Sequence, residues 1–210
     1  MIVLIDTETS NLRSVINAFN RIGLTLKVSS NAEEVESAAA IILPGVGAFE
    51  RGMAGLNKFG LVDVIRKRVG HEGVPLIGIC LGMQLMAEVS HEHGSCEGLG
   101  LIKGEVRPLV PTEPGYPVPN MGWCDTLVNR PSVLFPDVAK SASFYFVHGY
   151  HLDCADNNDV AATISYGGQT VTAAIERDNI FGAQFHPEKS QDDGLNLLSG
   201  LAFRLREKTS

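Results

Sequence analysis

The first half of the chain alternates short apolar runs with segments of helical periodicity. Four apolar runs have the length of buried strands: residues 1–6, 24–28, 40–45 and 75–80. Asn11 is placed to cap a helix whose apolar residues recur at helical spacing: Leu12, Val15, Ile16 and Phe19. Residues 32–37 and 59–69 also have helical patterns. This alternation predicts βαβ units, with parallel strands covered by helices on both faces of the sheet.

The pattern changes after about residue 98, where strand-like segments follow one another. These segments are residues 100–109, 118–128, 142–152, 160–167, 170–177 and 180–185. The proline-rich residues 107–120 predict a loop, and the last segment predicts a helix whose start Ser190 and Asp193 close as a capping box. One face of that helix carries Leu198, Leu201, Ala202 and Leu205. The whole predicts an α/β fold with a mixed, mostly parallel central sheet, flanking helices and a β-rich second half.

Composition and charge narrow the class of protein. The chain has 210 residues, 44% apolar and 20% charged, which is typical of a single globular domain, residues 1–210. A net charge of −7 disfavours a nucleic-acid partner, because phosphates attract a basic surface. Four cysteines without a CxxC pair predict reduced thiols in the cytoplasm. Since the N-terminal apolar run is too short for a signal peptide and no run approaches about 20 apolar residues, neither secretion nor membrane insertion is expected.

Cys80 stands between two glycines in the stretch PLIGICLGMQLM. Gly78 and Gly82 flank it as glycines flank the serine of the G-x-S-x-G elbow of hydrolases. At a helix start the thiol would feel the positive end of the helix dipole, which favours the thiolate, and the N–H of Leu81 would face a developing oxyanion. Gln84 follows one turn later on the same helical face. The alternative is a buried structural cysteine, the usual state of a cysteine in an apolar run.

A thiol nucleophile needs a base, and the base needs a group that orients it. His186 precedes Pro187, which favours extended backbone, and in an extended chain Glu188 projects to the same side. A carboxylate there can hold the imidazole; the alternative is a capped turn before the last helix. The remaining histidines predict loop or packed positions: His71, His91, His93, His148 and His151. The HEHGSC stretch lacks a second pair of zinc ligands, so no metal site is expected.

The stretch LPGVGAFERG follows the third predicted strand and is rich in glycine. It fails as a dinucleotide fingerprint because Glu50 stands where the third glycine is needed, and it lacks the lysine of a phosphate loop. At the carboxyl end of a parallel sheet such a loop can line a ligand crevice and supply a second oxyanion donor. A tight strand-to-helix turn is the equally supported alternative.

In order and spacing, the glycine loop, G-x-C-x-G-x-Q and the late H-P-E resemble the class I (triad) glutamine amidotransferases over nearly the whole chain. Finer stretches resemble the glutaminase subunits of imidazole glycerol phosphate synthase, from histidine biosynthesis: NLRSV, LPGVGAF, GICLGMQL, MGW, FYFVHGYH and FHPEKS. The resemblance implies the family's three-layer sandwich. One stretch departs from it, since DTETSN stands at residues 6–11 where the family has a glycine-containing DYGxGN.

The resemblance implies an activity and a set of site residues. Cys80 would attack the side-chain amide of L-glutamine, form a glutamyl thioester and release ammonia. His186 would act as base and acid, with Glu188 orienting it, and the amides of Val46 and Leu81 would form the oxyanion hole. The implied glutamine pocket consists of Gly47, Gln84, Glu92 and the backbone of Gly149 and Tyr150. No cofactor is implied.

The resemblance also implies a partner chain. Ammonia in neutral water becomes mostly ammonium, so an acceptor enzyme has to dock over the exit, and the family's partner is a separate (β/α)8-barrel cyclase. It makes imidazole glycerol phosphate and an aminoimidazole carboxamide ribonucleotide. Four positions resemble family interface positions: Asn11, Met121, Trp123 and Lys189. For Trp123 core packing is the alternative. Alternative functions are a glutaminase subunit serving another acceptor synthase and a non-enzymatic module whose Cys80 is structural or redox-sensing.

Overall fold

The structure is a computed structural model that describes residues 1–7, 11–136 and 142–207. Its strands are β1 Ile2–Ile5, β2 Leu26–Ser29, β3 Ala40–Gly45, β4 Leu76–Cys80, β5 Val89–Ser90, β6 Cys96–Glu97, β7 Gly104–Pro108, β8 Asn120–Val128, β9 Ala142–His148, β10 Tyr150–Cys154, β11 Val160–Tyr166, β12 Gln169–Arg177 and β13 Ile180–Ala183. Its helices are α1 Leu12–Arg21, α2 Ala32–Glu36, α3 Phe49–Lys58, α4 Leu61–Ile65, α5 Leu81–Gln84 and α6 Gln191–Glu207. A π-helical turn, Arg66–His71, extends α4, and 3₁₀ turns cover Asn157–Asp159 and Pro187–Lys189. Residues 8–10 of the DTETSN stretch lie outside the described residues.

Nine of the described strands form one mixed sheet in the order β2-β1-β3-β4-β13-β12-β11-β8-β9. Neighbours from β2 through β13 pair in parallel, and neighbours from β13 through β9 pair antiparallel. The apolar runs of the first half are the parallel strands, because buried strands joined by helices favour that arrangement. β13 lies beside β4, with Ala183 opposite Ile79. This pairing brings the chain that leads to His186 next to the strand that ends at Cys80.

Helices cover both faces of the nine-stranded sheet. In β1, Ile2 and Leu4 pack with residues of α1 and α6 on one face. Val3 and Ile5 point to the other face and pack with residues of α2, α3 and α4. This alternation is the period of two that a pleated strand imposes. The predicted α/β class, with a mixed sheet between flanking helices, is confirmed.

Four further strands form a smaller sheet in the order β10-β7-β5-β6. Residues 142–152, predicted as one strand-like segment, divide at Gly149, so that β9 belongs to the large sheet and β10 to the small one. The carbonyl of Gly149 accepts a hydrogen bond from the N–H of Leu109 at 2.9 Å, which fixes the crossing point. The break places residues 147–150 where the two sheets meet, and all four residues line one cavity.

The capping box predicted at the start of α6 is wrong. The hydroxyl of Ser190 accepts from the N–H of Tyr145 at 3.0 Å and donates to the carbonyl of His186 at 2.7 Å. The Asp193 carboxylate accepts from the N–H of Ser143 at 2.9 Å. Both side chains therefore join α6 to β9, because a neighbouring strand offers unpaired donors that the sequence around Ser190 does not reveal.

Candidate active site

Cys80 is the residue at which β4 turns sharply into α5. Its backbone has φ 54° and ψ −110°, a region that residues other than glycine adopt only when the surrounding structure enforces it. Such strain at a cysteine points to a function for the thiol. A cysteine that only filled space would not need this backbone. The geometry favours the elbow over the structural alternative.

The two glycines beside Cys80 are required by close packing. A Cβ atom on Gly82 would lie 1.8 Å from the carbonyl oxygen of Leu43 in β3, and one on Gly78 would lie 2.7 Å from the backbone of Gly82. Both separations are far below a normal contact. The glycine bracket therefore lets the turn fold tightly over the end of the neighbouring strand, which holds the thiol at the carboxyl edge of the sheet.

The helix after Cys80 is a single turn. α5 covers only Leu81–Gln84, and the chain then turns toward β5. A single helical turn has a small dipole, so the dipole contributes less to thiolate stability than a full helix would. Two groups from distant parts of the chain lie near the sulfur, one a backbone carbonyl and the other a side-chain amide. The carbonyl of Val147 lies 3.9 Å from Sγ, and Nε2 of Gln184 lies 3.7 Å from it.

His186 and Glu188 form a buried pair. Nδ1 of His186 lies 2.8 Å from Oε1 of Glu188, and the two side chains are only 3% and 4% exposed. His186 is in extended backbone, and Pro187 opens the short turn that carries Glu188. Among the described residues, Nε2 of His186 has no hydrogen-bond partner. The orienting bond is therefore made on one nitrogen, and the other nitrogen is left for a reacting group.

The imidazole of His186 is held in its protonated form. Burial by itself lowers the pKa of His186, but the Cys80 thiol and the Glu188 carboxylate outweigh burial and raise this pKa to about 9. The thiol is near enough to act on the imidazole although no hydrogen bond between them is formed. At neutral pH His186 therefore carries a proton that it can give to a leaving group.

This raised pKa predicts a pH dependence of stability. A base whose pKa is higher in the folded state stabilises the fold. This stabilisation is complete below the pKa of the unfolded state, 6.5, and is lost as the pH rises through the folded-state pKa of about 9. We expect the unfolding free energy of wild type minus that of His186→Gln to fall by on the order of 3 kcal/mol across this window. Urea unfolding at the two ends of this pH window measures the difference in unfolding free energy, and the exposed His71→Gln is the control variant. A difference that stays constant with pH would contradict the assignment.

A cavity of about 190 Å³ opens beside the thiol. It is lined by Val46, Gly47, Cys80, Leu81, Gln84, Glu92, Val147, His148, Gly149 and Tyr150. The volume is below the roughly 300–1,000 Å³ of drug-sized pockets and suits a ligand the size of one amino acid. All five residues predicted for the pocket and both predicted oxyanion positions lie on its wall, and the sequence did not single out Val147.

The glycine loop is both a turn and a wall of the cavity. It leads from β3 into α3, as the strand-to-helix alternative expects. Gly47 has φ 98°, a conformation that favours glycine, and Val46 beside it is exposed toward the cavity. The N–H of Phe49, the first residue of α3, donates to Oε2 of Glu92 at 2.7 Å. Glu92 reaches the site from the loop after β5, since α5 ends eight residues earlier, and it tethers the glycine loop.

Two buried glutamines connect the cavity wall to the sulfur. Nε2 of Gln84 donates to the carbonyl of Tyr150 at 2.8 Å and to Oε1 of Gln184 at 2.9 Å. Gln184 in turn contacts Cys80. Sequence reasoning missed Gln184. The one available signal was a polar residue inside the apolar run IFGAQF, two positions before His186.

His148 lines the cavity as a neutral side chain. Burial lowers the pKa of His148 to about 4. Nδ1 of His148 lies 2.8 Å from the carbonyl oxygen of Tyr150, and this bond raises the pKa by a smaller amount than burial lowers it. Its Nε2 faces Nδ2 of Asn120 at 3.3 Å. His148 therefore fixes the Tyr150 backbone from one side while Gln84 fixes it from the other. In the part of the chain that the structure describes, no group of histidine, cysteine and acidic residues could hold a metal ion.

The predicted interface residues lie on the surface. Met121 and Trp123 on β8 are 64% and 49% exposed, so the core-packing alternative for Trp123 is wrong. Trp123 touches Tyr145 edge-on, with ring centroids 6.1 Å apart, and Nζ of Lys189 lies 5.9 Å from the same tyrosine ring. Asn11 is exposed at the start of α1. Met121 and Trp123 line a groove of about 500 Å³.

A family model described as "Glutamine amidotransferase class-I" matches residues 3–199. The chain therefore belongs to the class I glutamine amidotransferase family and is an enzyme of that class. The elbow cysteine and the buried histidine–glutamate pair agree with this assignment. Its curated relatives show the narrower family. "Imidazole glycerol phosphate synthase subunit HisH" of Listeria innocua is 46% identical over 200 residues, 95% of this chain and 94% of the relative. The protein of that name from Nostoc punctiforme is 43% identical over 209 residues, 99% of this chain and 98% of the relative. The chain belongs to the HisH family.

Solved structures support the fold. "Crystal structure of glutamine amidotransferase" superposes with a TM-score of 0.74 at 20% identity, covering 99% of this chain and 100% of that one. "Structure of PurLQS from Thermotoga maritima" also superposes at 0.74, with 19% identity and coverage of 97% and 98%. At this identity the likeness concerns the fold alone. Within the described residues, no helix combines the length and apolarity needed to cross a bilayer.

Proposed function

We propose that the chain hydrolyses L-glutamine to glutamate and ammonia through a thioester on Cys80. The observation that carries the proposal is the strained elbow, which holds Sγ at the wall of an amino-acid-sized cavity beside the His186–Glu188 pair. A nucleophile, a proton carrier and an orienting carboxylate in this order are what acyl transfer from an amide requires. Cys80, His186 and Glu188 are the proposed catalytic residues. No cofactor takes part in the proposed reaction.

The reaction follows from the protonation state of His186. Sγ attacks the amide carbon of glutamine as a thiolate whose proton has passed to Nε2 of His186; a C–S bond forms, and the carbonyl electrons move to oxygen, where the amides of Leu81 and Val46 would stabilise the charge. When the C–N bond breaks, Nε2 of His186 gives its proton to the leaving nitrogen and ammonia departs. The neutral imidazole then takes a proton from water as that water attacks the thioester, and glutamate leaves with Cys80 restored.

The cavity wall supplies contacts for the remainder of glutamine. Glu92, which tethers the glycine loop through Phe49, offers a carboxylate on the cavity wall for the α-ammonium group. Gln84 and the backbone of Gly149 and Tyr150 line the same cavity. Because Tyr150 is held by two side chains, the backbone groups that meet the substrate are preorganised.

The proposal includes a partner that receives the ammonia. The curated relatives are named as subunits of imidazole glycerol phosphate synthase, which supports a partner subunit. We propose that this partner is a separate (β/α)8-barrel cyclase that forms imidazole glycerol phosphate and aminoimidazole carboxamide ribonucleotide in a heterodimer. We place the interface on the exposed residues Asn11, Met121, Trp123 and Lys189. A single domain over residues 1–210 in the cytoplasm is part of the same proposal. The acidic net charge of −7 supports a protein partner over nucleic acid.

Trp123→Ala is expected to weaken cyclase binding by about 10- to 100-fold, because a half-exposed tryptophan above a groove is the kind of anchor that dominates interfaces. Titration calorimetry or surface plasmon resonance with purified cyclase measures the affinity. Val28→Ala serves as control, since Val28 is an exposed apolar residue on the edge strand β2 at the other end of the sheet. Equal affinities of wild type and Trp123→Ala would move the interface elsewhere.

The function is tested by measuring ammonia released from L-glutamine by the purified chain, alone and with the cyclase. We expect slow release by the chain alone, faster release with the cyclase, and a glutamyl adduct on the Cys80 peptide by mass spectrometry after acid quench. Stimulation by a different acceptor synthase, with none by the cyclase, would support the alternative of another pathway. Absence of ammonia release under all of these conditions would refute the proposal.

A further inference from the structure

Gln184 is a polar residue in an otherwise apolar and buried place. It follows β13 directly, its side chain is 0% exposed, and its backbone N–H continues the sheet by donating to the carbonyl of Ala173 at 2.9 Å. A buried amide is unfavourable unless its donors and acceptor are satisfied. What satisfies Gln184 is the active site: Oε1 accepts from Gln84, and Nε2 approaches Sγ of Cys80 to 3.7 Å.

The direction of these bonds is determined by a backbone group. The carbonyl of Tyr150 can only accept, so Gln84 has to present its NH₂ to it, at 2.8 Å. The same NH₂ lies 2.9 Å from Gln184, which therefore has to present its oxygen there. Consequently the NH₂ of Gln184, and not its oxygen, faces the sulfur. The assignment follows from the whole network and not from either amide alone.

We propose that Gln184 is a further catalytic residue, which donates an N–H to Sγ of Cys80 and stabilises the thiolate in the attacking position. A thiol sulfur is a weak acceptor, whereas an anionic sulfur accepts strongly, so a fixed donor favours the charged form. Because α5 has a single turn, its dipole is small, and a side-chain donor can supply the stabilisation of the thiolate. The inference rests on the proposed role of Cys80 as the nucleophile.

The same network connects the sulfur to the substrate cavity. Gln84 forms part of the cavity wall and orients Gln184, so a ligand that contacts Gln84 acts on the amide that holds Sγ. The other titratable groups around Cys80 are His186 with its partner Glu188, and the cavity-lining His148 and Glu92. These four are unchanged in a Gln184 variant, which makes the contribution of the amide measurable.

The test is the pH dependence of Cys80 alkylation by iodoacetamide, which requires the thiolate and does not require glutamine. Peptide mapping separates Cys80 from Cys96, Cys124 and Cys154. In Gln184→Met, which is similar in length and lacks the donor, we expect the half-maximal pH to move upward and the rate at pH 7 to fall by about 5-fold. At high pH, where every sulfur is ionised, the rate should equal that of wild type.

Two further variants make the result interpretable. Gln184→Glu keeps an oxygen for Gln84 and places a carboxylate beside the sulfur, so its half-maximal pH should move further upward than in Gln184→Met. Gln169→Met is the matched control, because the Gln169 side chain contacts His151 and Val110, and it should follow the wild-type profile. If Gln184→Met does not fold, the alkylation profile of Gln184→Glu is compared with that of wild type instead.

The outcomes separate this inference from the proposed function. A wild-type alkylation profile in a folded Gln184→Met or Gln184→Glu would overturn the inference, whatever the glutaminase activity. Shifted profiles in a chain that releases no ammonia from glutamine would support the amide–sulfur contact and refute the proposed function. Shifted profiles with a matching loss of kcat/KM for glutamine would support both.

Discussion

Replacing Cys80 with alanine is expected to lower glutamine hydrolysis by about 10⁴-fold or more, because it removes the atom that forms the thioester. The effect should appear mainly in kcat, since the other residues that line the glutamine cavity are unchanged in this variant. Cys80→Ser is expected to lose nearly as much, because a hydroxyl is a far poorer nucleophile at neutral pH. Ammonia release should be measured with the cyclase bound, because the wild-type rate is then expected to be highest and the difference from the Cys80 variants largest.

Cys96→Ala is the matched control for this experiment. Cys96 lies in β6 of the small sheet, and within the described residues its thiol donates only to the carbonyl of Glu97. Full activity in this variant would show that thiol removal as such is harmless. When ammonium is supplied in place of glutamine, the complex containing Cys80→Ala should still produce imidazole glycerol phosphate. Glutamine hydrolysis at the wild-type rate in Cys80→Ala would refute the thioester mechanism.

Gly82→Ala is expected to destabilise the protein by at least about 4 kcal/mol or to prevent folding. The added Cβ would lie 1.8 Å from the backbone oxygen of Leu43, and a backbone atom in the middle of a sheet cannot move aside. To make room the elbow has to separate from β3, which also displaces Cys80. Urea unfolding of the purified variant, or its yield in the soluble fraction, measures the effect.

Gly70→Ala provides the comparison for the elbow glycine. An added Cβ there would meet only Cδ2 of Leu101, at an ordinary 3.7 Å, so the change should stay within about 1 kcal/mol. A Gly82→Ala variant as stable as Gly70→Ala would mean that the elbow is not packed against β3 as described. The pair therefore tests the packing itself and not a general intolerance of glycine replacement.

Several features of the site were predictable because they are local. The glycine bracket around Cys80 requires only that a strand turn sharply, and the H-P-E stretch requires only that an extended chain project two side chains to one side. The four apolar runs predicted the parallel strands for the same reason, since a short run length distinguishes buried strands from the longer helices. Each of these inferences uses residues within about ten positions of one another.

Other features could not be read from the sequence because they join distant segments. Gln84 and Gln184 are 100 positions apart, and Phe49 and Glu92 are 43 apart, so no local period indicates either pair. The division of residues 142–152 between two sheets depends on which strands lie nearby. Ser190 and Asp193 match a capping box locally, yet β9 offers their oxygens better-placed donors.

The sequence by itself determined the α/β class, the elbow at Cys80 and the histidine–glutamate pair, since each depends on the chemistry and spacing of neighbouring residues. Only the tertiary structure decided that β13 pairs with β4, that Gln184 reaches the sulfur, and that Glu92 tethers the glycine loop. The physical reason is that burial and hydrogen-bond satisfaction are properties of the whole packed chain, whereas backbone periodicity is a property of each segment.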